Sequence, residues 1–102
     1  NTTRFFVIGK QDVPPTGKDR TSIVFSIKDR PGALHAMITP FRENKINLTK
    51  IESRPSKKKA WEYYFFIDLE GHKDDANVKR ALSRLGDMCN SIKILGSYPV
   101  LS

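Results

Sequence analysis

Between residues 22 and 28 the side chains alternate. Ile23, Phe25 and Ile27 share one phase, and Ser22, Val24, Ser26 and Lys28 share the other. A period of two predicts a strand with one buried face. From residue 32 to 43 the period lengthens. Leu34, Met37, Ile38 and Phe41 fall at i, i+3, i+4 and i+7, the stripe of an amphipathic helix. Pro40 lies inside that run. It lacks a backbone donor, which predicts a kink one turn before the helix ends at Asn44-Lys45. Residues 46–54 form a strand with a fault: Ile46 and Leu48 keep one phase and Ile51 the other. A bulge near Thr49-Lys50 restores all three to the core side. Residues 60–70 give the longest alternation. Trp61, Tyr63, Phe65, Ile67 and Leu69 share one face, and Tyr64 and Phe66 point the other way. Asp74-Asp75 suit a helix start. Val78, Ala81, Leu82 and Leu85 form the stripe that follows, and Gly86 is placed to close it. Residues 91–100 predict a last strand with Ile92 and Ile94 on one face, ended by Pro99.

The predicted order is β-α-β-β-α-β. With right-handed crossovers this makes an α+β fold of the ferredoxin-like kind, a four-stranded antiparallel sheet with both helices on one face. The other face is open, and Tyr64 and Phe66 on it fit a covering partner and ordinary β propensity equally well. Upstream, residues 4–8, "RFFVI", read as a separate short strand. Residues 9–20, "GKQDVPPTGKDR", read as a linker. The expected division is therefore 1–8, a strand segment from elsewhere; 9–20, a linker; and 21–100, the domain proper.

Composition narrows the class. A chain of 102 residues fits one domain, and 38% hydrophobic residues is globular usage. No apolar run approaches the ~20 residues of a membrane span, and no signal peptide is visible. Cys89 is the one cysteine, so no internal disulfide forms. That fits a reducing compartment, most simply the cytoplasm. The chain opens on Asn1 inside an apolar-rich run, which reads as a piece of a longer protein. A net charge of +7 permits a polyanion partner. A solvated basic surface explains it as well, since Lys57-Lys58-Lys59 falls where a hairpin tip is expected.

Candidate chemistry is sparse. There is no Walker-type phosphate loop, no GxGxxG, no HExxH and no paired cysteines, so no cofactor or metal is expected. His35 and His72 lack companion ligands, and Cys89 reads as a buried apolar filler. The stretch "KDRPGALHAM", 28–37, is the best lead. Pro31-Gly32 punctuates a strand-to-helix turn. A helix beginning at 32–34 leaves unpaired N–H groups at its start, and these favour an anion such as a carboxylate. A glycine leaves the approach open, although a plain chain reversal explains the same two residues. Further on, Glu52 and Arg54 stand two apart on a strand, share a face and can pair.

Gly32-Ala33-Leu34-His35 and Glu52-Ser53-Arg54-Pro55, read together, resemble the signature of the ACT domain that regulates prephenate dehydratase. That enzyme makes phenylpyruvate from prephenate. Its family's first motif is Gly-Ala-Leu and a variable residue, and its second is Glu-Ser-Arg-Pro. The likeness runs on through "EYYFFIDLEGH" (62–72) and "LGSYP" (95–99). "NTTRF" (1–5) is similar to the Thr-Arg-Phe segment that closes the dehydratase catalytic domain. The threonine of that segment, here Thr3, is an active-site residue in the family.

The resemblance implies an allosteric domain for feedback inhibition. Its effector is L-phenylalanine, the pathway's end product, bound between two ACT domains. The carboxylate would meet the N–H groups of Ala33 and Leu34. The ammonium would find Asn47 and backbone carbonyls across the interface, and the ring would lie against Leu34 and Leu48. His35, Glu52, Ser53, Arg54 and Pro55 are placed in or around the same site. The implied partners are L-phenylalanine and further copies of the chain, as a homodimer or higher homo-oligomer, with no nucleic acid and no membrane. The piece is not an enzyme by itself. Its parent is a prephenate dehydratase, a hydro-lyase, with or without a fused chorismate mutase domain.

Two rivals stand beside this reading. Regulatory ACT domains of aromatic amino acid hydroxylases share Gly-Ala-Leu and the region of "NLTKIESRPS" (47–56). They do not place a Thr-Arg-Phe segment upstream, and "LGSYP" is unlike them. An RNA-binding module has the same frame, and the charge and strand aromatics suit stacking. "KAWEYYFF" lacks the glycine that pattern requires, however, and Glu62 and Asp68 repel phosphate.

Overall fold

The computed structural model describes residues 14–100. The expected strand at 4–8, the first part of the linker and Thr3 lie outside the described residues. Six elements follow in chain order: β1 (Asp19–Lys28), α1 (Ala33–Glu43), β2 (Leu48–Pro55), β3 (Glu62–Glu70), α2 (Ala76–Met88) and β4 (Ser91–Pro99). The sheet order is β2-β3-β1-β4, with every neighbouring pair antiparallel. This is the ferredoxin-like arrangement that the hydrophobic periods predict.

β1 starts three residues before the alternation does. Asp19 fixes its entry by accepting from the Thr16 amide at 2.9 Å and the Thr16 hydroxyl at 2.8 Å. Ile23, Phe25 and Ile27 are all buried, as their phase requires. Phe25 stacks on Phe65 of β3 with ring centroids 5.6 Å apart. Met37 and Phe41 of α1, and Val78, Ala81, Leu82 and Leu85 of α2, close the core from one side.

In α1 the buried stripe is rotated by one residue from the predicted one. Ala33 packs against the core, with Met37, Pro40 and Phe41 buried behind it. Leu34 stands about 100° further round the helix and is 57% exposed. The helix runs on past Pro40 to Glu43. The Asn44 amide and its side-chain Nδ2 both donate to the Pro40 carbonyl, at 3.2 and 2.8 Å, and close the helix.

The predicted bulge is present: the β2–β3 register shifts between Leu48 and Lys50. It brings Ile51 opposite Ile67, on the core side. Ile51 is nevertheless 48% exposed, because β2 is an edge strand among the described residues. Trp61 is 59% exposed and precedes β3. It belongs to the hairpin turn, where the Glu62 amide donates to the Lys59 carbonyl at 3.2 Å. Lys57 to Lys59 form the tip of that hairpin, as expected. Gly86 does not end α2. The helix continues to Met88, and a Cβ at Gly86 would make only an ordinary contact, 3.8 Å from Ile92 Cγ2.

Gly71 joins β3 to the start of α2 at φ +126°. Its amide donates to the Asp19 carbonyl at 2.8 Å, and its carbonyl accepts from the Thr21 hydroxyl at 2.7 Å. His72 follows, fully buried, with Nδ1 accepting from the Asp74 amide at 3.0 Å. It is a helix-start histidine, but not a surface one.

Candidate functional site at the start of the first helix

The β1–α1 turn is built from backbone bonds. The Ala33 amide donates to the Arg30 carbonyl at 3.1 Å, and the Ala36 amide reaches the Gly32 carbonyl at 3.0 Å. Gly32 caps the helix at φ 81°, ψ −2°, with no side-chain cap and no acid in the first turn. Among the described residues, the amides of Leu34 and His35 therefore have no backbone acceptor. These two N–H groups carry the positive end of the helix. The expected pair was Ala33 and Leu34. The turn itself occupies Ala33, so the free pair lies one residue later. The side chains of Leu34 and His35 are both exposed beside them.

Asn47 and Leu48 stand elsewhere in the same chain. Leu48 pairs with Leu69, which pairs with Thr21 at the beginning of β1. Gly32 follows the other end of β1. The eleven residues of α1 separate the two places by about 16 Å. That distance is too long for one small ligand to touch both places within one copy.

Glu52, Ser53, Arg54 and Pro55 divide between the two faces of the sheet. Ser53 pairs with Phe65 and Pro55 with Tyr63, on the helix side. Glu52 pairs with Phe66 and Arg54 with Tyr64, on the open side. There the predicted ion pair forms. Arg54 Nε donates to Glu52 Oε2 at 2.7 Å, and the guanidinium lies 5.2 Å from the Phe66 ring centroid. Both partners are well exposed, so the pair is worth only ~0.2–1 kcal/mol. Its effect is geometric: the guanidinium covers the ring face on which a nucleobase would stack. The acids on the open side are engaged as well. Ser22 Oγ donates to Asp68 at 2.7 Å, and Asn90 Nδ2 donates to Glu62 at 2.8 Å.

Among the described residues no group of three or more His, Cys, Asp or Glu is arranged to hold a metal. No helix among them is long and apolar enough to cross a membrane. Cys89 follows α2 and packs against the core. Burial pushes its thiol from 9.0 up to about 11. The thiolate fraction near neutral pH is then about a hundredfold below that of a free cysteine. Iodoacetamide should alkylate the folded chain about a hundredfold more slowly than the urea-unfolded chain, as read by mass spectrometry. Equal rates would show an accessible, ionised thiol.

A cavity between the α1 start and the last turn of α2 gave no signal in the sequence. Gly32 and Ala33 of the turn line it together with Ile27, Arg30, Met37, Asp87 and Met88, and its volume is about 330 Å³. Asp87 and Met88 lie far from Gly32 along the chain, and no shared period links them.

Comparison with known proteins bears on this site. The ACT domain family model matches residues 21–87. The bifunctional chorismate mutase/prephenate dehydratase of Aquifex aeolicus is 59% identical over 99 residues, which is 97% of this chain and 27% of that protein. The prephenate dehydratase of Mycolicibacterium smegmatis is 43% identical over 102 residues, 98% of this chain and 33% of that protein. The chain thus spans about a quarter to a third of the length of these relatives. Among solved structures, the prephenate dehydratase of Arthrobacter aurescens in complex with L-Phe superposes with a TM-score of 0.81 at 33% identity. That match covers 91% of this chain and 33% of the other.

Proposed function

The chain belongs to the ACT domain family, and from that premise we propose that it is the regulatory domain of a prephenate dehydratase, feedback-inhibited by L-phenylalanine. The observation that carries the reading is the relative of the same fold whose structure holds L-Phe. The geometry supports it. Two free amides at Leu34 and His35 suit a carboxylate, and Gly32 leaves their approach open. Asn47 and Leu48, at the far end of α1, complete the site only from a second copy. A two-fold axis that sets α1 of one copy against α1 of the other brings start to end twice, making two equivalent sites. Leu34 and Ile51, both large, apolar and exposed, are the side chains such an interface would cover.

In this reading L-phenylalanine favours the paired arrangement only by its differential affinity for it, typically ~1–3 kcal/mol. The residues 9–20 carry that bias to the catalytic part. Glu52 and Arg54 face away from the helix start, so they act on whatever meets the open sheet face and do not hold the ligand. The parent is a biosynthetic enzyme of the cytoplasm, as its relatives' activities suggest, with or without a chorismate mutase domain. The 102-residue chain itself turns over no prephenate.

Thermal melting and sedimentation with L-phenylalanine test the reading together. The expected result is a raised Tm, equivalent to about 2.7 kcal/mol at a hundredfold excess over Kd, with a larger dimer fraction. A melting curve and a sedimentation profile indifferent to L-phenylalanine would sink it.

A further inference from the structure

Glu52, Arg54 and Ser56 follow one another along the edge strand at a spacing of two, which keeps them on one side of it. The Ser56 amide donates to the Glu62 carbonyl at 2.9 Å, so the β2–β3 ladder runs one step past the Pro55–Tyr63 pair. Arg54 therefore has two neighbours at about 7 Å along the strand, and it is bonded to one of them, Glu52. We propose that the other, Ser56, is a phosphorylation site, and that its phosphate takes Arg54 from Glu52 and uncovers the Phe66 ring.

The hairpin tip is arranged around this hydroxyl. Ser56 Oγ accepts from the Lys58 amide at 3.2 Å and from the Lys59 amide at 3.3 Å. Two N–H groups thus already point at the atom that would carry the phosphoryl group. The side chain is half-exposed where the chain leaves β2, a place an enzyme can reach. Ser22 and Ser26 are buried and bonded to Asp68 and Ser91, and Ser53 lies inside the ladder opposite Phe65. The acid opposite Ser56, Glu62, is held by Asn90 Nδ2 at 2.8 Å. Arg54 two residues before and Lys57 to Lys59 directly after give basic flanks to a transferring enzyme.

In the transfer, Ser56 Oγ attacks the terminal phosphorus of a nucleoside triphosphate. The bond from that phosphorus to its bridging oxygen breaks, the nucleoside diphosphate leaves with the electron pair, and the hydroxyl proton passes to a base of the transferring enzyme. The product carries a charge of about −1.5 to −2 at neutral pH and three acceptor oxygens, against the single charge of Glu52. Guanidinium binds phosphate through two parallel charge-assisted hydrogen bonds. The pair it would leave is solvent-exposed and weak, so the dianion prevails. Arg54 then moves off the Phe66 ring, whose centroid it now approaches to 5.2 Å. The modification changes what the open sheet face can meet and leaves the turn at Gly32 untouched.

Two measurements on the 102-residue chain test this. With ATP and a serine kinase selective for basic flanks, mass spectrometry should place one phosphate on Ser56, and Ser56→Ala should stay unlabelled. Independently, a phosphate installed at Ser56 by chemical synthesis should shift the NMR signals of the Arg54 Nε–H and the Phe66 ring. Its own phosphorus signal should titrate at a higher pH in Arg54→Gln, because a guanidinium favours the dianion. Labelling of other hydroxyls with Ser56 left free would overturn the site. Arg54 and Phe66 signals indifferent to the installed phosphate would overturn the exchange. Inorganic phosphate that reproduces the same shifts on the unmodified chain would make this a free-anion site and overturn the proposal too. None of these readouts involves L-phenylalanine, so they stand or fall apart from the regulatory reading.

Discussion

Gly32→Val is expected to abolish the stabilisation that L-phenylalanine gives, while the chain stays folded. A Cβ at Gly32 would meet nothing within 4 Å, so the position has room for one. It does strain the turn, because φ is +81°. That costs about 1–2 kcal/mol for a residue other than glycine, well inside the ~5–15 kcal/mol of a typical domain. Its effect on binding should be larger. A branched side chain at the cap stands over the free amides of Leu34 and His35 and obstructs a carboxylate. Four melting curves separate the two effects: wild type and variant, each with and without ligand. The ligand-free pair measures the strain. A folded variant whose Tm rises with L-phenylalanine as much as wild type would place the carboxylate away from this turn.

Gly71→Val should cost the fold far more. Here the space is taken: an added Cβ would lie 2.7 Å from Val78 Cγ2, and Val78 is fully buried. Overpacking of that kind costs typically ~1–3 kcal/mol, and the φ of +126° adds strain of about 1–3 kcal/mol. The Gly71 amide bond to Asp19 and its carbonyl bond to Thr21 tie β1 to this corner and resist a backbone shift there. A lower urea midpoint, with a loss of about 2–6 kcal/mol by these two terms, is the expected readout. A midpoint within error of wild type would show that the corner yields freely.

These two glycines also mark how far the sequence could be read. The periods of two and 3.6 carried the elements, their order and even the bulge beside Thr49. Each of those is a local pattern impressed by one buried face. What periodicity does not encode is where an element stops being covered. Leu34, Ile51 and Trp61 sit near the ends or the edge of the assembly, and all three are more exposed than their phase suggested. Gly86 looked like a helix end because a glycine there usually is one. Here α2 runs two residues past it, to Met88. The candidate site shows the same division. Gly32 and its free amides follow from the local turn. The assignment of Glu52 and Arg54 to the face opposite the helices depends on strand register. The cavity bounded by Lys28, Arg30 and Asp87 depends on the antiparallel setting of the two helices.

The sheet order has a consequence for how the chain is made. β1 is flanked by β3 and β4, so the first strand of this sheet in chain order is completed by its last. Ser26 and Ser91, whose hydroxyls meet at 2.7 Å, are 65 positions apart. A nascent chain that has emerged as far as Met88 holds three strands and both helices, yet β1 still shows a bare edge along Asp19–Lys28. Contacts of such long separation form slowly. An uncovered strand with Ile23, Phe25 and Ile27 on one side is a template for pairing with other chains. Synthesis must therefore reach Pro99 before the centre of the sheet is safe from aggregation, and a stop codon anywhere between Met88 and Ser91 would leave it open for the life of the polypeptide.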